Sequence, residues 1–296
     1  MESNQRQFKL GLIHILLTVA ILAGSVLRFA RLKEIPPGFD QDEAVNGYDA
    51  YSLFLTGRDH HGHPFPFAGL ESFGDWVSPL LTFITTPAVG LLGLRVEVVR
   101  GVTATLGVLA ILVIYLLAYE LFQRPALGVA AALTMALSPW AVARSRFAIP
   151  PALVPLMVTL LMLALVWTMQ HQSNRGFVAL GIIAALTMAS YPTMKLYVPL
   201  LLLAGFLIYA RTLLSFSRES LLYAAILFIS IAGPLMYLSL VDPGGKARFD
   251  QVSVFNSGKA SVLFLAQQYG SYFSPWVFFS LAMVILGGVP PHQAGE

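Results

Sequence analysis

Cysteine is absent from the 296-residue chain, which excludes disulfides, thiolate metal ligands and cysteine nucleophiles together and leaves the redox compartment unreadable. Charge is scarce as well: Asp, Glu, Lys and Arg make up 11% of the residues, less than half of the roughly 25% typical of a soluble protein. No basic run of about five or more occurs, so the surplus of three positive charges reads as charge flanking a membrane, with no nucleic-acid partner. Internal repeats and low-complexity tracts are missing too, which argues for one domain rather than an array.

What the chain has in abundance is apolar side chain. At 57% hydrophobic and a mean hydropathy of +0.73, it holds more apolar residues than a core can take and too few polar ones to cover that core. The solvent is therefore lipid, and the fold class is an all-α polytopic membrane protein. Gly11 to Leu27 reads as an uncleaved first span rather than a secretory signal, because further spans follow it. Runs of spanning length lie near 98–119, 126–143, 150–170, 176–190, 196–212 and 220–240, which gives seven helices. Leu80–Leu94 and Trp276–Val289 are ambiguous. Each is shorter than the roughly 30 Å hydrocarbon core at about 1.5 Å per residue, and Pro87 interrupts the first. Lysine and arginine counts do not decide on which side the later loops lie. The span interiors are nearly free of ionisable side chains, so chemistry belongs in the loops.

The acidic residues mark the loop that matters. Eight of fifteen (Glu34, Asp40, Asp42, Glu43, Asp49, Asp59, Glu71 and Asp75) fall between residues 34 and 75. From Asp42 onward, Ala44, Tyr48, Tyr51 and Leu55 share one side of a helix and Asp42, Asn46, Asp49 and Leu53 another. Tyrosines on the greasier side suit a helix lying in the headgroup layer. Asp40 and Glu43 have the spacing of a capping box, while Asp42 has no such duty and is well placed to act as a base. His60, His61 and His63 invite a zinc reading, but their spacing beside Gly62 and Pro64 favours a simple turn. Residues 71–76 read as a further loop with an aromatic anchor, in which Asp75 is a second acidic candidate.

In this order, these residues resemble the GT-C superfamily of integral-membrane glycosyltransferases. The likeness is carried by a first helix, Pro36-Pro37-Gly38, Asp42-Glu43 on an amphipathic helix, Gly57-Arg58-Asp59 with Gly62 and Pro66, and Phe73-Gly74-Asp75-Trp76 with Pro79-Leu80. It continues through Ser138-Pro139-Trp140, Ser145-Arg146, Tyr191-Pro192 and Phe273-Ser274-Pro275. Within the superfamily the chain looks like bacterial relatives of protein O-mannosyltransferases and aminoarabinose transferases.

The resemblance implies a fold of about seven or eight transmembrane helices with interfacial juxtamembrane helices in the first external loop. It divides the single membrane domain into a first span over 1–27, an external loop over 28–97, a helical bundle over 98–240 and an external segment over 241–296. That last segment carries a possible final span and looks truncated, since relatives generally run longer.

The implied activity is inverting transfer of a sugar from a polyprenyl-phosphate carrier to a hydroxyl or amine acceptor on the external face of the cytoplasmic membrane. This is work of the cell envelope, such as protein glycosylation or lipopolysaccharide modification. Carried over, the catalytic carboxylate is Asp42, with Glu43 beside it. Donor phosphate would be held by Arg146 ahead of Arg144, Arg58 and Lys195, because arginine grips phosphate with two parallel donors. By the same likeness Arg95 and Arg100 begin the second span outside, Arg124 and Arg175 are cytoplasmic, and Arg144, Arg146 and Lys195 are external. Some relatives use a divalent cation, for which Asp42 with Glu43 or Asp75 would be the ligands, and no metal site is assigned. A lipid-linked-sugar flippase, or a non-catalytic membrane subunit, is the competing class. A flippase should show polar paths or paired broken helices, and neither is visible in the sequence.

Overall fold

A computed structural model describes residues 2–67 and 69–241, with three residues beyond. The expectations for the segment 242–274 and for a last span at 276–289 lie outside the described residues.

Among the described residues ten α-helices follow in chain order: α1 Glu2–Phe29, α2 Gln41–Thr56, α3 Leu80–Leu92, α4 Val96–Phe122, α5 Pro125–Leu137, α6 Pro139–Ser145, α7 Val154–His171, α8 Asn174–Ser190, α9 Met194–Leu213 and α10 Arg218–Val241. Five stretches among the described residues are long and apolar enough to cross a bilayer: Gly11–Phe29, Val96–Phe122, Pro150–His171, Met194–Leu213 and Arg218–Tyr237. The chain is a multi-pass membrane protein. The largest buried cluster packs Leu161, Leu165 and Met169 of α7 against Leu180, Ala184 and Met188 of α8, joined by Val198 of α9 and Ala232 of α10.

Two sequence expectations change. The run 126–143 is not one straight span: it divides into α5 and α6, which meet at 60°. Pro139 causes the break, because it has no N–H to continue the ladder and it disfavours helical backbone at the residue before it. Ser138 accordingly sits at φ −60°, ψ 118°, and its hydroxyl caps α6 by accepting from the Ala141 N–H. The run 176–190 becomes α8, a 17-residue helix of about 26 Å, shorter than the hydrocarbon core. The described residues thus hold five spans by length, or six with the bent pair, where seven were expected.

A broken helix leaves carbonyls without partners, and here an arginine answers them. Arg28, at the end of α1, is fully buried and donates through Nη1 to the Ala136 carbonyl at 3.1 Å and through Nη2 to that of Met135 at 2.9 Å. Arg28→Met is expected to cost about 2–3 kcal/mol, since it strands these acceptors in an apolar bundle. A drop in thermal stability in detergent, with α-helical content kept below the transition, is the measurement that checks it.

Around the first loop the packing is inverted relative to a soluble helix. On α2 the buried residues are Glu43, Asn46, Gly47, Asp49, Ala50 and Leu53, whereas Tyr48, Phe54 and Leu55 are 56%, 46% and 61% exposed. The polar side turns inward and the greasier side outward, as suits a helix bathed by lipid on its outer face. Helix α2 packs against α3 and close to the start of α4. A Cβ added at Gly47 would stand 2.9 Å from Val99 Cγ2, so a residue without one is needed where these backbones approach.

Candidate functional site

Asp40 starts α2 from extended backbone, and its side chain accepts the Asp42 N–H at 2.9 Å. Glu43 reaches back to the Asp40 N–H at 3.3 Å, completing the capping box. Glu43 also does more. Its side chain is fully buried and takes a two-pronged grip from Arg100, with Nε to Oε1 at 2.9 Å and Nη2 to Oε2 at 2.7 Å. Its Oε1 accepts the Ala148 N–H at 2.9 Å as well. The remaining Arg100 donors go to the carbonyls of Leu32, Pro36 and Gly38, and its guanidinium lies 5.5 Å from the Phe39 ring. One ion pair therefore ties together the exit of α1, the start of α2, the start of α4 and the segment after α6. Sequence reasoning placed Arg100 at the start of a span but not in this role. An arginine near a span terminus paired with the capping-box glutamate is the signal that could have found it.

Asp42, by contrast, is exposed and lines a cleft of about 130 Å³. Three walls enclose it. The first is the polar side of α2, where Asp42, Asn46 and Asp49 recur at helical spacing. The second is a β-hairpin of β1 Leu70–Ser72 and β2 Asp75–Val77, which contributes Leu70, Ser72 and Val77, followed by Ser78 and Thr82. The third is Ile149-Pro150-Pro151 with Tyr191-Pro192. The hairpin corrects the expectation of a loop over 71–76, and it adds two short strands to an otherwise helical fold. Phe73 and Gly74 both have positive φ, 53° and 76°, the backbone that a two-residue hairpin turn requires. Asp75 pairs with Ser72 in the register.

The predicted cations divide. Arg146 is 3% exposed, and its Nη donors are spent on the carbonyls of Leu27, Ala30 and Ile35 at 2.6 to 2.8 Å. Two of these carbonyls belong to the frayed end of α1, so Arg146 closes that end as Arg28 closes α5. Burial, and after it the nearby Arg100 charge, push its guanidinium below the usual value. Arg144 is half-buried and lines a smaller, separate cavity with Arg28 and Ser145. Arg58 is exposed and donates to the Gly62 carbonyl at 2.7 Å, inside its own turn. Lys195 is half-buried in the first turn of α9, one turn beyond the cleft residue Pro192, whose carbonyl accepts its N–H.

The histidines form a turn, as their spacing suggested. Asp59, 3% exposed, accepts the backbone N–H of His61 and of His63 and lies 3.1 Å from His63 Nδ1. Asp49 accepts the His60 N–H at 2.9 Å and lies 2.7 Å from His60 Nδ1. Among the described residues no three His, Asp or Glu side chains gather as metal ligands.

Residues 77–237, more than half of the chain, match the sequence profile of the dolichyl-phosphate-mannose-protein mannosyltransferases. The chain belongs to that family. No curated protein matches it in sequence. Two similar solved structures are glycosyltransferases of the GT-C fold. One is ArnT from Cupriavidus metallidurans bound to undecaprenyl phosphate, at 17% identity and TM-score 0.54, covering 93% of this chain and 50% of that one. The other is the archaeal oligosaccharyltransferase AglB from Archaeoglobus fulgidus, in complex with an inhibitory peptide and a dolichol-phosphate. It matches at 16% identity and TM-score 0.53, covering 94% of this chain and 39% of that one. The fold of the family member described here is thus GT-C, and the chain spans half or less of the length of these structures.

Proposed function

We propose that the protein is a membrane glycosyltransferase. In this reading it moves a sugar from a polyprenyl-phosphate carrier to a hydroxyl or amine acceptor on the external face of the cytoplasmic membrane, with Asp42 as the catalytic carboxylate. The observation that carries this reading is the division of labour between adjacent acids. Glu43 is sealed in an ion pair with Arg100, while Asp42 is exposed on the wall of a cleft beside a helix whose outer side is greasy. Family membership and a GT-C neighbour holding a polyprenyl phosphate support the donor class.

The step balances without a further reactant. The acceptor O–H or N–H gives its proton to Asp42 as the acceptor atom bonds to the anomeric carbon. The bond from that carbon to the phosphate oxygen breaks, and polyprenyl phosphate leaves with the electron pair. Attack from the face opposite the phosphate inverts the anomeric centre. Charge building on the departing phosphate calls for a cation. Arginine chemistry favours Arg146, but its Nη donors already serve carbonyls. Lys195, next to the Tyr191-Pro192 wall, takes precedence, ahead of Arg144 and Arg58.

The test is a comparison of variants in membranes supplied with radiolabelled polyprenyl-phosphate sugars. Lys195→Met is expected to raise the donor KM roughly tenfold, the order of one charge-assisted contact. Arg146→Gln should lower thermal stability and leave donor KM near that of the parent. Unchanged donor kinetics in Lys195→Met with a raised KM in Arg146→Gln would reverse the assignment.

A further inference from the structure

Two side chains lining the cleft each carry a buried polar atom without a hydrogen-bond partner among the described residues. Asp49 is fully buried and Asn46 is 6% exposed, both line the cleft, and both carry an orphan: Asp49 Oδ2 and Asn46 Nδ2 make no hydrogen bond. Each side chain is held by its other atom. Asp49 Oδ1 is engaged by the backbone and ring of His60 at 2.9 and 2.7 Å, and Asn46 Oδ1 accepts from Thr82 Oγ1 at 2.8 Å. A buried carboxylate oxygen and a buried amide N–H without partners each carry a desolvation cost, and buried polar groups are satisfied as a rule. What remains unsatisfied is one carboxylate oxygen and one amide NH2 group, three residues apart on one helix side, each on a side chain anchored through its other atom.

A hydroxyl group offers the complement, since it donates one hydrogen bond and accepts two. An ammonium would satisfy Asp49 but has no lone pair for Asn46, and a phosphate would satisfy Asn46 but be repelled by Asp49. We infer that Asn46 and Asp49 form a sugar-hydroxyl subsite, in which Asp49 Oδ2 accepts from one hydroxyl and Asn46 Nδ2 donates to the same hydroxyl or to its vicinal neighbour. This rests on the glycosyltransferase reading, and it names the part of the substrate that the second and third turns of α2 bind. Asp42 lies four and seven residues back along the same side, about 6 and 10 Å at the helical rise. A sugar ring held by this pair therefore presents its far end toward the reacting carboxylate. The hydroxyls can belong to the donor's sugar or to a sugar acceptor, and the two sources are separable.

The full chain in nanodiscs is titrated with undecaprenyl phosphate and with undecaprenyl-phosphate mannose, glucose and aminoarabinose. In a second arm it is saturated with undecaprenyl phosphate and titrated with methyl mannoside and methyl glucoside. Asp49→Asn exchanges the free acceptor for a donor at constant shape, and Asn46→Ala removes the free donor. Both are expected to reduce the sugar-dependent part of binding about tenfold or more, while affinity for bare undecaprenyl phosphate stays level, or rises in Asp49→Asn as a negative charge is lost. Loss in the first arm assigns the subsite to the donor, and loss in the second to the acceptor. Sugar-dependent binding that persists in both variants, or that the parent chain shows in neither arm, overturns the inference. Because binding is scored without turnover, a failure of catalysis by Asp42 is read separately, from transfer assays on Asp42→Asn.

Discussion

Asp42→Asn is expected to reduce sugar transfer by roughly two to four orders of magnitude, the range associated with loss of a positioned general base, while the protein still inserts into membranes and folds. The reason is local. The cap of α2 is made by Asp40 and Glu43. The neutral amide keeps the volume of the carboxylate but cannot take a proton from the attacking acceptor. Donor binding should change little, so the loss belongs in kcat rather than in donor KM. Label transfer from a radiolabelled polyprenyl-phosphate sugar, normalised to protein in the membrane, is the measurement. Turnover equal to the parent would remove Asp42 from the mechanism.

Arg100→Leu is expected to have the opposite signature, a loss of stability of about 3–5 kcal/mol, the range for leaving one buried charge of a pair uncompensated. Glu43 would keep its carboxylate in a fully buried position, and the carbonyls of Leu32, Pro36 and Gly38 would lose their donor. Arg100→Lys should rescue little, because an ammonium cannot make the two parallel bonds nor reach three carbonyls at once. Glu43→Gln should be destabilising too. A double-mutant cycle between the positions should show strong coupling, since either change alone breaks the same contact. Thermal unfolding in detergent checks this, and additive effects of the two changes would mean that the pair does not hold the loop. In the proposed mechanism Glu43, next to Asp42, is a positioning residue, and its variants are expected to lose activity through the fold of the cleft.

The sequence made the membrane class and the polar first loop legible, because both follow from where charge is missing and where it collects. Helix α2 was readable from its periodicity and from the Asp40 to Glu43 spacing, and Asp42 stood out as the acid without a capping duty. Other features depend on contacts distant in sequence. Arg28, Arg100 and Arg146 look alike as charges at span ends, and nothing local tells that each is consumed by carbonyls up to 119 residues away. The break at Ser138-Pro139 was present as a dipeptide signal, but a continuous apolar run outweighed it. The hairpin over 70–77 was hidden because its turn is carried by Phe73 and Gly74, and phenylalanine seldom adopts positive φ. Asn46 and Asp49 were placed on the polar side of α2. That this side faces into the fold could be learned only from what packs on it.

The proposed mechanism requires the start of α2 to meet water on the external side of the membrane. The chain has no cysteine, so a single Gln41→Cys variant, next to Asp42 and exposed, reports on that position alone. Treated with a membrane-impermeant maleimide, intact cells should label this cysteine fully, with no gain on permeabilisation. Labelling that appears only after the membrane is opened would put Asp42 on the cytoplasmic side and contradict the account.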